Sequence, residues 1–155
     1  MGALSTGSGI LDRQECLRLL AGGTVGRLFY TENALPAIHP GHYLLDEDTI
    51  LTRTPTGTIL TAGGPHIAAF QVDHLDHTTH TGWSVVVIGH AHLADYRPRP
   101  GSLPSWIIPE HASQLLSIKC TLISGRAFAP SDKQIPLRET NLHTNPHRIP
   151  TSHAD

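Results

Sequence analysis

Apolar positions along this chain follow two patterns in succession. In ILDRQECLRLLAGG (10–23), Cys16, Leu17 and Leu20 form an apolar stripe at helical spacing. Asp12 stands at the N-cap position, Glu15 follows three residues on as in a capping box, and Leu11 is placed to staple onto Cys16. Gly22 or Gly23 ends this helix. From TVGRLFY (24–30) onward the apolar runs are short and separated by turn residues: LPAIHPGHYLLD (35–46), TILTRT (49–54), PHIAAFQVD (65–73), GWSVVVIGHAHLAD (82–95) and LLSIKCTLISGRAF (115–128). Six such strands with short connections predict a mainly β domain: a six-stranded antiparallel barrel, closed or nearly so, behind an N-terminal helix. Pro36 and Pro40 each remove a ladder donor, so the second strand is expected to be kinked or to run partly along an edge. Short connecting helices are expected after Thr58 and around 109–114.

The pattern stops after Phe128. Residues 131–155 are rich in Pro, Ser, Thr, His and Asn and hold few large apolar side chains, which cannot offset the entropy of ordering them. The expected organisation is a flexible segment over 1–10, a barrel domain over 11–130 and a mobile tail over 131–155. A tail that crosses onto a partner subunit is the alternative. At 155 residues, one core is the default.

Charge narrows the function. Charged residues make up 15 % of the chain and the formal net charge is −2, without the basic excess that drives general nucleic-acid binding. Two cysteines, Cys16 and Cys120, are too few for a disulfide framework. No apolar stretch approaches the roughly 20 residues of a membrane-spanning helix. These features predict a cytoplasmic protein without nucleic-acid or membrane partners.

One polar corner stands out. In TILTRT, alternation puts Ile50, Thr52 and Thr54 on one face and Leu51 and Arg53 on the other, until Pro55, Thr56 and Gly57 turn the chain. Thr58 then stands where a short helix would begin. A helix start offers free N–H groups and a guanidinium adds paired donors, which together are the parts of a phosphate site. Threonines that satisfy their own backbone in a polar turn give the same local pattern. The corner alone does not separate the two readings.

The order of segments does. ECLRLLAGGTVGRLFY, LPAIHPGHYLLD, TILTRTPTGTILTA, AAFQVDHLD and TGWSVVVIGHAHL together resemble the pyridoxamine 5'-phosphate oxidase-like family of flavin-binding split barrels, from about Leu11 to Phe128. The resemblance implies a six-stranded split barrel, a homodimer and FMN in a groove at the subunit interface. It implies phosphate contacts from Arg53, Thr54 and Thr58. The position after Thr58 is Ile59, where the family often has lysine, so one cationic partner is absent and His66 is the candidate to replace it. The family's Pro-Val-Asn-Tyr stretch reads Pro40-Gly41-His42-Tyr43 here, which implies that His42 and Tyr43 line the flavin ring. By the same resemblance Trp83 and Ser84 lie at the dimer interface and touch the partner's cofactor. The implied function is an FMN-dependent oxidoreductase acting on a small molecule, with no catalytic residue from the protein assigned. A deazaflavin would use the same groove.

Twelve histidines form the remaining oddity. They make the surface more cationic below about pH 6.5. HLDHTTH (74–80) spaces His74, His77 and His80 by three, with Asp73 and Asp76 interleaved; His90 and His92 share a strand face. None of these clusters matches a specific metal motif, and no metal site is assigned. Binding of haem, a metal or a deazaflavin without turnover is the competing class, together with a barrel that has lost its cofactor.

Overall fold

Helix α1 (Arg13–Ala21) starts at Asp12, whose carboxylate accepts from the Glu15 amide at 2.8 Å, and ends at Gly22, whose amide donates to the Leu19 and Leu20 carbonyls. Glu15 turns to Arg18 at 3.1 Å rather than back to the cap. Cys16, Leu19 and Leu20 are buried, so Leu19 joins the expected stripe. The structure, a computed structural model, describes residues 9–94, 103–107 and 111–130. The expected tail over 131–155 and the first eight residues of the expected flexible N-terminus lie outside the described residues.

Gly9–Leu11 forms a short strand, β1, so the last residues of the expected flexible segment are paired instead. The remaining strands are β2 (Val25–Glu32), β3 (Leu35–Asp46), β4 (Thr49–Pro55), β5 (His66–Asp76), β6 (Thr81–Leu93), β7 (Ser113–Lys119) and β8 (Leu122–Phe128). All pair antiparallel in the order β1-β8-β6-β5-β2-β3-β4-β7, and a further β6–β7 pairing closes β2 to β7 into a six-stranded barrel. Strand β6 makes this possible by its length. Its first part, Gly82 to Ile88, pairs with β8, and its last part, Ala91 to Leu93, pairs with β7.

Short connecting helices were expected. Among the described residues the only connecting helical piece is a 3-10 turn, Ile59–Thr61, after Thr58. Of the helical turn expected around 109–114, residues 109 and 110 lie outside the described residues, His111 and Ala112 form a turn, and Gln114 already belongs to β7. Its partner there is Thr54 of β4, so ladder pairing across the barrel sets its conformation.

The core fills the barrel and extends under α1. Leu20, Leu28, Tyr43, Ile50, Phe70, Val85, Val87, Leu116 and Ile118 are buried together with Cys16 and Cys120. Each large apolar side chain taken fully out of water contributes about 1.5–3 kcal/mol. A smaller cluster of Leu51, Ile107 and Leu115 lies on the outer face of β4 and β7, with Leu103 and Trp106 packed on it. No helix among the described residues is long and apolar enough to cross a membrane.

Candidate functional site

Alternation along β4 holds as expected: Ile50, Thr52 and Thr54 face the barrel interior and are almost completely buried, while Leu51 and Arg53 face outward. Arg53 stands opposite Leu115 and Thr54 opposite Gln114. Thr52 of β4 donates to the His42 carbonyl of β3 at 2.8 Å, which fixes β3 against β4 near Gly41. These strands border a groove of about 520 Å3 whose walls include Gly41, His42, Arg53, Thr54, His111 and Ser113. That is within the usual size range of small-molecule sites. His42 leans against Trp106, with ring centroids 5.4 Å apart.

The turn after β4 is largely tied within the protein. The Thr56 amide donates to the Ala112 carbonyl at 2.9 Å, the Gly57 amide to the Thr61 hydroxyl at 3.1 Å, and the Ile59 amide to the Glu32 carboxylate at 2.9 Å. The Thr54 and Thr58 hydroxyls are 3.5 Å apart. Beside Thr54 in register, the buried Gln114 Oε1 has no hydrogen-bond partner among the described residues.

The structure therefore brings Arg53, Thr54 and His42 to one groove and places Thr58 next to Thr54. It does not bring Tyr43 there. The Tyr43 side chain is fully buried, tilted on Phe70 at 5.2 Å, and its hydroxyl donates to the Leu20 carbonyl. Strand alternation sends Tyr43 inward because its neighbour His42 points outward. Trp83 and Ser84 lie on β6 and are not among the residues bordering the groove. Trp83 packs toward the core and stacks on His74 at 6.4 Å, whereas Ser84, on the other face of β6, accepts from Gln71 Nε2 at 3.1 Å. His66 bonds the Gly63 carbonyl at 3.1 Å and does not border the groove. His111 does, and sequence reasoning missed it because it approaches from a turn more than fifty residues away along the chain.

The histidine-rich HLDHTTH segment straddles the end of β5 and the turn to β6. Asp76 accepts from the Thr78 and Thr79 amides, and these bonds, that of Thr79 foremost, hold its carboxyl below the ordinary range. Among the described residues no three His, Cys, Asp or Glu side chains are grouped to hold a metal.

A barrel closed by one long shared strand, with a groove between β3 and β4, defines a split-barrel protein. Residues 12–127 match the family described as pyridoxamine 5'-phosphate oxidase, and this chain belongs to that family. A Mycobacterium tuberculosis relative described as Uncharacterized protein Rv0080 is 39 % identical over 87 residues, which span 52 % of this chain and 57 % of that protein's length. The solved structure of the FAD binding protein from Mycobacterium smegmatis is 28 % identical, with a TM-score of 0.59, covering 78 % of this chain and 98 % of that one. The FAD and heme binding protein of the same organism is 12 % identical at a TM-score of 0.58, covering 81 % and 76 %, and shares the fold alone.

Does the site fit a flavin phosphate? The groove side offers a guanidinium and two imidazoles, with the buried Thr54 in its wall and the Thr58 hydroxyl 3.5 Å from that of Thr54. The turn amides at 56, 57 and 59 are engaged within the protein and add nothing while they stay so.

Proposed function

We propose that this protein is a homodimeric flavin-dependent oxidoreductase that holds FMN in the groove between β3 and β4. The observation that carries the reading is the convergence of Arg53, Thr54 and His42 on one groove of flavin-accommodating size, in a chain of this family. In this reading Arg53 and the Thr54 and Thr58 hydroxyls hold the phosphate. His42 and the Gly41 backbone line the ring, with His42 braced by Trp106. Ser84, on the outer face of β6, meets the partner's cofactor across the interface, with Trp83 behind it toward the core. The flavin supplies the electron transfer to or from a small molecule, and the protein supplies position and electrostatics.

A second occupant is FAD, favoured by the name of the 28 % identical relative. It would use the same groove with a longer anionic end. Deazaflavin and haem are further occupants that one set of spectra distinguishes.

The experiment is a titration of dialysed protein with FMN, FAD and riboflavin, read by flavin fluorescence. FMN is expected to bind at micromolar concentration or tighter, and riboflavin more weakly. Arg53→Ala should weaken FMN by about ten- to a hundredfold, the worth of a charge-assisted phosphate contact, and leave riboflavin nearly unchanged. Binding of none of the three would overturn the reading.

A further inference from the structure

The turn that follows the candidate phosphate residues is already in contact with an anion, and that anion belongs to the protein. Along β2, Leu28 and Tyr30 face the barrel interior, and alternation puts Glu32 on the same side at the strand's end. There its carboxylate accepts from the Ile59 amide at 2.9 Å. Ile59 follows Thr58, whose hydroxyl is 3.5 Å from that of Thr54. Glu32 takes part in no ion pair among the described residues. Its charge reaches its surroundings: the Tyr30 phenol is pushed up by burial first and by Glu32 second.

We propose that Glu32 is a specificity-determining residue that lowers the affinity of the groove for phosphorylated flavins relative to unphosphorylated ones. The inference rests on the flavin reading above and sharpens it. One N–H cannot serve a carboxylate and a phosphate at once. A phosphate held by Thr54 and Thr58 must either displace Glu32 from Ile59 or stand beside its carboxylate. Ile59 itself contributes no cation to offset this. The position that would favour a phosphate with a positive charge instead presents an amide bound to a negative one.

The test compares FMN and riboflavin affinities, by fluorescence titration of the full chain, in the wild type, Glu32→Gln, Glu32→Ala and Glu47→Gln. Glu47 lies in the turn between β3 and β4, at the opposite end of β4, and controls for net charge. Glutamine keeps an oxygen that can accept from Ile59, and alanine removes the acceptor as well. In both Glu32 variants the ratio of FMN to riboflavin affinity should rise by at least about tenfold, the scale of one charge-assisted contact, with no such rise in Glu47→Gln. An unchanged ratio in the Glu32 variants, with FMN bound by the wild type, would overturn the inference and leave the flavin reading standing. An equal rise in Glu47→Gln would overturn it as a long-range charge effect. Failure of every variant to bind any flavin would remove the flavin reading and the inference with it.

Discussion

The Tyr43 hydroxyl ties the barrel to the end of α1 through the Leu20 carbonyl, and burial holds the phenol neutral by pushing its pKa up to about 12. A raised pKa in the folded state means that the folded protein disfavours the charged form. The stabilisation is complete below the unfolded phenol's pKa of about 10 and is lost as pH rises through about 12. Cys120, pushed to about 11 by burial, and Cys16, also raised chiefly by burial, act with the same sign. Stability measured by urea unfolding should therefore decline as pH rises above about 9, and Tyr43→Phe should show a smaller decline above pH 10. At neutral pH that variant should cost about 0.5–1.5 kcal/mol, toward the low end, because the Gly23 amide also donates to Leu20 at 3.2 Å. A decline identical to that of the wild type would place the alkaline sensitivity elsewhere. The opposite fates of His42 and Tyr43 follow from a period of two. The same rule, readable in TILTRT, separated Arg53 from Thr54 correctly. Neighbouring positions were legible as a pair of faces, but which face of β3 met the core depended on pairing with β4 that no local pattern records.

Strands β7 and β8 were legible as one run, LLSIKCTLISGRAF, and in direction they are one: both lie antiparallel along the same edge of β6. The missing detail is a bulge. Ala91 stands opposite Ile118 and Ile88 opposite Leu122, so three steps along β6 face four along the other strand. Around the extra residue, the Cys120 amide turns to the Asp48 carbonyl at 2.8 Å and the Thr121 amide to the Lys119 carbonyl at 2.8 Å. The run passes there from closing the barrel to lying outside it. No Gly or Pro marks this point in the run, because the accommodation sits on the other strand: a Cβ at Gly89 would overlap the Lys119 carbonyl. Gly89→Ala should destabilise the protein by about 1–3 kcal/mol, the usual cost of overpacking, seen as a lower urea midpoint. A neutral result would mean that the bulge relaxes without cost. The helix and barrel strands were readable because caps, alternation and turn residues are local. His111 in the groove and Glu32 on Ile59 were not, because each arises from closure of the barrel.

The outer face of the sheet formed by β3, β2, β5, β6 and β8 carries a cross-strand row of Ile38, Phe29, Ala69, Ile88 and Leu122. Ile38 is 54 % exposed, Ile88 39 % and Leu122 63 %, with Ile67 nearby at 57 %. Single exposed apolar residues are ordinary, but a row in register across five strands is a contiguous patch of the kind that marks an interface. The face bears polar order as well: Arg27 pairs with Asp73 at 3.0 Å, and Gln71 meets Ser84 two residues from the apolar row. This is the surface that the proposed homodimer would bury, and a stable one needs about 800 Å2 from each partner. Ile88→Glu places a charge at the centre of the patch without entering the core. Sedimentation at micromolar concentration should show a dimer for the wild type and a monomer for this variant, with an unchanged far-ultraviolet circular dichroism spectrum. If the partner's Trp83 and Ser84 help to complete the flavin site, FMN affinity should fall with the dimer, recovering at protein concentrations that restore association. A monomeric wild type would refute the proposed assembly. A monomeric variant that binds FMN as tightly as the dimer would keep the groove but confine the cofactor to one subunit.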